Sequence, residues 1–240
     1  MTSESNLQSR PGWLLEEVSN AGRENLDPEH VARYDLKEDA DAEAEVQLCR
    51  EHGLTKDSTV IEFGVGTGQF ALAVAPWSER VVAVDVSPVM LTALRANIDA
   101  AQRANIEVVQ GGFLTYEHRG RPADLVYTRY ALHHLPDFWK AVALERIRHM
   151  LRPGGLLRLW DVVYNFDPSQ AEEQIEAWCA TGGTNVDEAW SRDELEEHVR
   201  DEHSTFSWLI EPMMLRCGLR IEAAEYSADG IDAKYLLRRV

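Results

Sequence analysis

A glycine-rich turn after a short apolar segment most constrains what this chain can fold into. Residues 60–70 read Val-Ile-Glu-Phe-Gly-Val-Gly-Thr-Gly-Gln-Phe, so Gly64, Gly66 and Gly68 alternate between a strand pattern and a helix pattern. Glycine lacks a Cβ, which lets the backbone adopt positive φ and approach a ligand closely. The N–H groups that open the following helix favour a negatively charged group such as a carboxylate. The turn therefore predicts a crevice that binds a small molecule.

Short apolar runs alternate with helical patterns from Thr59 onward, which is the rhythm of parallel strands joined by helices. The predicted strands cover 59–63, 81–86, 106–110, 123–128, 155–163, 220–226 and 233–240. The predicted helices between them cover 70–75, 88–102 and 138–150, the last ended by Pro153-Gly154-Gly155. We therefore expect an α/β fold with a doubly wound, seven-stranded, mostly parallel sheet whose last strand is antiparallel.

The length of 240 residues falls within the range of one α/β domain. We expect residues 1–27 to form an N-terminal extension and residues 28–240 to form a single domain. Two helical additions are expected to act as lids, one over residues 28–57 and one over residues 164–217.

Charge limits the partners, because 41 acidic and 24 basic residues give a net charge of −17. Such a surface repels phosphate backbones and anionic membranes, so we expect neither as a partner. No apolar run reaches the roughly 20 residues that cross a bilayer, and Met1 to Arg10 lacks the apolar centre of a secretory signal. A cytoplasmic location is therefore expected. The acidic stretch from Glu172 to Glu202 is interpreted as a solvated helix face in preference to the rim of a site for a cationic ligand.

The three cysteines are far apart and lack CxxC spacing, which indicates buried free thiols and neither a metal cage nor a disulfide framework. They are Cys49, Cys179 and Cys217.

The glycine pattern also indicates which ligand to expect. A dinucleotide fingerprint is G-x-G-x-x-G, whereas here the third glycine is Gly68 and Gln69 follows it, which argues against NAD. With Glu62 two residues before the first glycine, the segment resembles motif I of class I S-adenosylmethionine-dependent methyltransferases, and the resemblance extends roughly from Thr59 to Leu159. It implies S-adenosylmethionine as cofactor, S-adenosylhomocysteine as product and no metal. It further implies that the loop wraps the methionine part and that Glu62 helps to hold its ammonium group, directly or through water.

Asp85 ends the second predicted strand, where an acidic side chain can accept both hydroxyls of a ribose. Dehydrogenases use the same device, and an acid that caps the helix near Pro88 is the structural alternative. The resemblance implies that Val86 and Met90 pad the adenine ring.

The family commonly shows Gly-Asp after the third strand, with the acid reaching the adenine amino group. Here the residues are Gly111-Gly112-Phe113, so the acid is missing. We expect Gly112 and the ring or backbone N–H of Phe113 to hold the adenine instead.

Residues 123–137 resemble motif IV of small-molecule methyltransferases, whose turn faces the transferable methyl group. The resemblance predicts cofactor contact for Thr128 and an active-site shortlist of Tyr130, Arg129, His133 and His134. Arg129 is expected to hold an acceptor carboxylate or phosphate, with an anchor for the acidic lid as an equally good alternative.

In-line transfer from a sulfonium depends chiefly on position, so a well-shaped pocket suffices for several acceptor atoms. A hydroxyl acceptor also needs a base, and we expect His133 or His134 to take its proton with help from Asp161. Many relatives carry a tyrosine in an N-terminal helix over the cofactor. Tyr34 is the candidate here, and packing between helix and sheet is the alternative.

The leading hypothesis is a methyltransferase that acts on a small-molecule acceptor, because the tetrapeptide of adenine-amino methylation and the Pro-Cys of cytosine methylation are both missing. A small protein or peptide substrate is the second possibility among enzymes. A non-catalytic S-adenosylmethionine-binding sensor or regulatory protein is the alternative from another class, followed by an NAD(P)-dependent oxidoreductase. The alternation over Lys234 to Val240 suggests an antiparallel sheet edge, and hence a possible homodimer.

Overall fold

One central sheet organises the chain in the computed structural model, which describes residues 11–22, 25–37, 40–185 and 189–240. In that part of the chain the strands are β1 (Thr59–Phe63), β2 (Arg80–Asp85), β3 (Ile106–Gln110), β4 (Ala123–Arg129), β5 (Leu151–Tyr164), β6 (Thr205–Phe206), β7 (Leu219–Tyr226) and β8 (Asp232–Arg239). The α-helices are α1 (Pro28–Val31), α2 (Tyr34–Lys37), α3 (Ala42–Glu51), α4 (Gln69–Val74), α5 (Pro88–Ala101), α6 (Asp137–Met150), α7 (Ala171–Cys179), α8 (Arg192–Asp201) and α9 (Ser207–Arg216).

The order of strands across the sheet is β3-β2-β1-β4-β5-β8-β7, and β6 pairs with β5 beside this path. Strands β1 to β5 are parallel, and every residue of β1 is buried, as expected for apolar strands covered on both faces. The chain order reverses between β1 and β4. Ligands of open α/β sheets bind at such a point, beyond the carboxyl ends of the strands.

Helices cover both faces of the sheet. Leu144 of α6 and Met214 of α9 pack in one apolar cluster with residues of the sheet. Val46 of α3, Phe70 of α4 and Leu94 of α5 pack in the other. The doubly wound α/β fold predicted from the sequence is therefore confirmed, including the antiparallel last strand.

The element bounds differ from the prediction mainly at β5. This strand begins at Leu151, directly after α6, and not at Gly155. Pro153 and Gly154 lie at an irregularity where the register against β4 shifts. A strand can accept Pro and Gly at such a bulge. The predicted end of the helix at Met150 is confirmed, since α6 ends there. Strand β6, inside the rear lid, had no periodic pattern to reveal it because it has only two residues.

The predicted sheet edge over residues 234–240 is wrong. Strand β8 lies between β5 and β7, so that Leu237 pairs with Leu157 on one side and with Ile221 on the other. Its alternating pattern comes from pairing inside the sheet. The possible homodimer stays a prediction. The sheet edge on which it was based is not present at β8, which lies inside the sheet.

The three cysteines are free thiols, as predicted; Cys49 and Cys179 are buried and Cys217 is half-buried. None of the helices in the described segments is long and apolar enough to span a membrane.

A buried ion pair joins the front addition to the sheet. Arg158 of β5 donates two hydrogen bonds of 2.7 Å to the carboxylate of Glu45 on α3. Arg158 is 2% exposed and Glu45 is 4% exposed, so water does not screen the two charges. If one partner is removed, the other charge stays buried without compensation.

We predict that Glu45→Ala lowers the free energy of unfolding by about 3–5 kcal/mol, because Arg158 keeps its charge inside the protein. Urea denaturation followed by circular dichroism measures this change. Glu176→Ala is the matched control, since Arg192 also donates two hydrogen bonds to Glu176, but at the exposed surface. We expect that control to leave the midpoint unchanged. Equal midpoints for both variants would contradict the role assigned to the buried pair.

Candidate active site

The three glycines of the turn all adopt positive φ, at +65° for Gly64, +55° for Gly66 and +95° for Gly68. They differ in what surrounds them. A Cβ on Gly64 would lie 2.4 Å from the Cβ of Ala131, so this glycine lets β1 pack against the segment after β4. A Cβ on Gly66 would meet nothing nearer than 3.8 Å. The absence of a side chain at Gly66 therefore leaves space at the mouth of the crevice.

The carboxylate of Asp85 fixes the turn onto the end of β2. It accepts a 2.9 Å hydrogen bond from the N–H of Gly66 and a 2.8 Å bond from the N–H of Ser87. Burial raises the pKa of Asp85, while these backbone donors oppose that shift. The N-cap of α5 is Ser87, whose Oγ accepts from Met90, so capping of α5 does not account for Asp85.

Glu62 lies beneath the turn and is 4% exposed. Burial, together with the neighbouring Asp85 charge, raises its pKa well above the usual range. Its buried Oε2 accepts no hydrogen bond from the residues that the structure describes. An ammonium group brought by a ligand would supply this oxygen with a donor.

A small cavity of about 70 Å³ lies at the carboxyl ends of β1, β2 and β4. Eight of the predicted cofactor-binding residues line it, namely Tyr34, Gly64, Gly66, Asp85, Val86, Met90, Gly112 and Phe113. The other three, which are Glu62, Gly68 and Thr128, do not line it. Thr128 is 1% exposed at the end of β4, opposite Phe63 of β1. Its predicted cofactor contact stays a prediction.

Glu17 lines the small cavity and was missed by the sequence analysis. Its carboxylate accepts hydrogen bonds from the backbone of Leu114 at 3.1 Å and from Thr115 Oγ1 at 2.9 Å. A Cβ on Gly112 would lie 2.3 Å from Glu17 Oε1. The acid that the family carries after the third strand is thus missing at Gly112, and a carboxylate from the N-terminal extension occupies the adjoining space.

The front addition is attached to the glycine turn through Asp35. Asp35 Oδ1 accepts from Thr67 Oγ1 at 2.5 Å and from Gln69 Nε2 at 2.9 Å. These bonds place the neighbouring Tyr34 beside Gly66 at the wall of the small cavity. That Tyr34 covers the cofactor stays a prediction.

A larger cavity of about 760 Å³ adjoins the small one beneath the two lids. Its wall includes aromatic side chains from both lids and the turn after β4, namely Tyr34, Tyr130, Trp178 and Trp190. Five carboxylates also line this cavity, from Asp27, Glu194, Glu197, Glu202 and Asp232. Among the described residues, no lysine or arginine lines it.

A contact between the lids closes the larger cavity on one side. Lys37 of α2 donates a 2.9 Å hydrogen bond to Glu194 of α8, and its side chain is 2% exposed. The same ammonium lies 4.8 Å from the ring centroid of Trp190. The front and rear additions therefore meet across the cavity. Their role as lids stays a prediction from the sequence.

The turn after β4 lies at the junction of the two cavities. Tyr130 and His134 line both, whereas His133 lines only the larger one. Tyr130 has φ of +46°, which is uncommon for a residue with a bulky side chain and is tolerated mainly where the surrounding structure enforces it. The shortlist from motif IV is thus brought together, apart from Arg129.

Arg129 lines neither cavity. Its guanidinium lies 4.5 Å from the ring of Tyr130 and 4.6 Å from the ring of Trp160. It packs against aromatic faces, and its predicted contact with the acceptor gains no support from this position.

His133 forms the centre of a charged cluster. Its Nδ1 lies 2.5 Å from Asp161 Oδ1, and its Nε2 lies 3.0 Å from Glu202 Oε2. Burial lowers the pKa of His133, but the two carboxylates outweigh burial and raise it to about 10. Burial and the neighbouring His133 instead lower the pKa of His134 to about 3. Asp161 thus acts on His133 and does not line either cavity.

Glu202 and His198 belong to this cluster and were missed by the sequence analysis, which interpreted the acidic stretch of the rear lid as a solvated face. The four-residue spacing of these two residues on a helical pattern was the available signal, because it puts both side chains on one side of α8. The structure turns that side of α8 towards the larger cavity.

Residues 60–155 match a protein-family model described as a methyltransferase domain. The matched segment contains the glycine turn, strands β2 to β4 and the turn after β4.

Relatives and solved structures are also similar to this chain. The chain is 30% identical over 118 residues to an uncharacterized methyltransferase of Oceanobacillus iheyensis, a segment that covers 49% of this chain and 53% of that protein. The chain thus spans about half the length of the curated relatives it matches. A SAM-dependent methyltransferase structure from Aquifex aeolicus aligns with a TM-score of 0.61 and 16% identity over 90% of this chain and all of that one. The [4+2]-cyclase SpnF also aligns, with a TM-score of 0.61 and 14% identity over 82% of this chain and 80% of that one. At such identities these likenesses show the fold alone.

We predict that Gly64→Ala destabilises the fold through overlap with Ala131. Gly154→Ala is the matched control, because Gly154 has a similar φ of +73° but only the flexible end of Arg152 near its Cβ position. We expect the left-handed conformation to cost about 1 kcal/mol in both variants. The overlap should cost Gly64→Ala about 1–3 kcal/mol more. Urea denaturation of both variants measures the difference, and equal losses would contradict the contact.

Proposed function

We propose that this chain transfers the methyl group of S-adenosylmethionine to a small-molecule acceptor by in-line displacement. The observation that carries the proposal is the junction of the two cavities. Tyr34, Tyr130 and His134 line both, so a ligand at the glycine turn and a ligand beneath the lids would lie next to each other.

The residues of the smaller cavity fit the methyl donor. The open space at Gly66 suits close approach of a ligand to the backbone. Glu62 lies beneath the turn and outside the cavity wall, and its Oε2, which accepts no hydrogen bond from the described residues, could accept from an ammonium group only if the ligand reaches below the turn. The carboxylate of Asp85 lies in the cavity wall, where it can accept from hydroxyl groups of a ribose. Bound there, S-adenosylmethionine supplies a methyl group on a positively charged sulfur.

The protein contributes position and exclusion of water to such a transfer. A lone pair of the acceptor forms the new bond to the methyl carbon while the carbon–sulfur bond breaks and its electron pair stays on sulfur. An O–H or N–H acceptor then also releases its proton. Alignment of the reacting atoms accounts for much of the rate in such reactions, and the lids that meet at Lys37 and Glu194 provide enclosure.

The lining of the larger cavity indicates the class of acceptor. Trp178 and Trp190 offer flat apolar faces, and the wall carries five carboxylates and, among the described residues, no basic side chain other than histidine. An anionic acceptor would be repelled by this lining. We therefore propose a neutral or cationic acceptor with a planar or apolar part.

A non-catalytic S-adenosylmethionine-binding protein is not favoured by these observations. The matched family model describes a methyltransferase domain, and similar proteins such as the one from Oceanobacillus iheyensis are named as methyltransferases. A sensor also needs no second cavity beside the cofactor crevice.

We predict that Asp85→Asn weakens the binding of S-adenosylmethionine by about 1 kcal/mol or more, roughly fivefold in the dissociation constant, through loss of a charge-assisted acceptor. Isothermal titration calorimetry with S-adenosylmethionine, S-adenosylhomocysteine and NAD measures it after co-purified ligand has been removed. The unsubstituted chain should bind the two sulfur compounds and give no signal with NAD. A screen of neutral and cationic acceptors with isotopically labelled methyl then tests the transfer.

Asp99→Asn provides the matched control, because Asp99 lies on the exposed face of α5. The thermal midpoint of each variant shows whether the fold is retained. An unchanged affinity in a folded Asp85→Asn variant would show that the ribose lies elsewhere. Failure of both sulfur compounds to bind the unsubstituted chain would overturn the proposed function.

A further inference from the structure

Three metal-ligating side chains converge on one point of the larger cavity. His133 follows β4, while His198 and Glu202 lie at the end of α8 in the rear lid. The nitrogen and oxygen atoms that they offer all lie within 4.8 Å of one another. Glu202 Oε2 is 3.0 Å from His133 Nε2 and 2.5 Å from His198 Nδ1.

These short contacts do not amount to a satisfied hydrogen-bond network. Glu202 Oε2 is buried and accepts no hydrogen bond with acceptable angles from the described residues. The three side chains line the larger cavity, and their ligand atoms lie within 4.8 Å of one another. A cation between these atoms would satisfy all three.

The second nitrogen of each histidine already has a partner. Asp161 accepts from His133 Nδ1 at 2.5 Å, and this carboxylate also accepts the backbone N–H of His133 at 3.1 Å. Ser204 Oγ lies 2.8 Å from His198 Nε2. Histidines that ligate metals typically use their other ring nitrogen in this way, which fixes the orientation of the ligating one. His133 Nε2 and His198 Nδ1 are thereby the ring nitrogens that lie near Glu202, and a bound metal ion would displace any proton that they carry.

The loop that carries Glu202 is held in place from outside the cluster. The backbone N–H of His203 donates to the carbonyl of His133 at 3.0 Å. The ammonium of Lys140, a side chain 2% exposed, donates to the carbonyl of His203. The two segments that supply the three side chains are thus fastened to each other before any ligand binds.

We propose that His133, His198 and Glu202 form a site for one divalent transition-metal ion in the larger cavity. Two imidazoles and one carboxylate make a ligand set suited to Zn²⁺ and to the neighbouring ions Co²⁺, Fe²⁺ and Ni²⁺. Bonds of about 2.0–2.2 Å in a tetrahedral site place ligand atoms about 3.3 Å apart, so small side-chain rotations bring these three into range. The five carboxylates of the cavity wall favour the entry of a cation.

Three protein ligands leave at least one coordination position open to the cavity. If the proposed function holds, that position is where an oxygen or nitrogen of the acceptor binds, because Tyr130 and His134 connect the same cavity to the cofactor crevice. A metal-bound hydroxyl group loses its proton more readily than a free one, which would prepare an acceptor oxygen for attack.

The test measures the metal itself and does not depend on activity. Purified protein is stripped with a chelator, incubated with Zn²⁺, desalted and analysed by elemental mass spectrometry. We expect about one equivalent of Zn²⁺ in the unsubstituted chain, and less than about a fifth of that in His198→Ala and in Glu202→Gln, which lack a ligand. Co²⁺ loaded in place of Zn²⁺ should give visible absorption bands of a low-coordinate site, and these bands should be lost in both variants.

His149→Ala is the matched control, because His149 has a side chain 63% exposed on α6 and pairs only with its own helix in the described structure. We expect it to retain the full metal content. Circular dichroism verifies that each variant is folded; Glu202→Gln keeps the size of the side chain and so guards against misfolding of the alanine variant.

Two results would overturn the site: a stripped protein that takes up no Zn²⁺ or Co²⁺, or a folded His198→Ala and Glu202→Gln pair that bind as much metal as His149→Ala. Titration of the metal-free protein with S-adenosylmethionine separates this outcome from failure of the proposed function. Cofactor binding without metal uptake would leave the methyltransferase proposal intact. The cluster would then be a group in which Glu202 forms ion pairs with His133 and His198, and not a metal site.

Discussion

The hydrogen bond from the N–H of Gly66 to the carboxylate of Asp85 holds the ligand-binding edge of the sheet together. It joins the turn after β1 to the end of β2. The turn is thereby held at the carboxyl end of the sheet, next to the point between β1 and β4 where the strand order reverses. The bond has a cost, because it keeps a carboxylate in a buried position where its pKa is raised. The backbone N–H groups of Gly66 and Ser87 oppose that rise in the pKa.

The rest of the site is assembled on this edge by additions that reach it from both ends of the domain. Asp35 attaches the front lid to the glycine turn, and Glu17 brings a carboxylate against Gly112. The rear lid contributes Glu202 and His198 to the cluster around His133. A fold shared with a [4+2]-cyclase does not determine the chemistry, whereas these additions shape the larger cavity.

Some of the acidic residues of the chain lie in the wall of the larger cavity. Carboxylates that look like solvated helix faces in the sequence line an enclosed space, beside imidazoles whose other nitrogens are already occupied. The same arrangement explains both the expected preference against anionic acceptors and the proposed affinity for a divalent cation. It also separates the roles of the two adjacent histidines, since His133 turns into the charged cluster and His134 lies between the cavities.

Local sequence determined the doubly wound sheet and most of the cofactor crevice. The signals were apolar runs, a three-glycine turn and an acid at the end of a strand, and each acts through the backbone within a few residues. Eight of the predicted cofactor-binding residues therefore line one cavity. Tertiary structure alone decided that β8 lies inside the sheet, because pairing partners distant in the chain leave no trace in the alternation of one strand. It likewise decided that Glu17, His198 and Glu202 reach the site. Each is brought there by packing between segments far apart in the chain, and nothing local to a glutamate on a polar helix shows which side of that helix the fold turns inward.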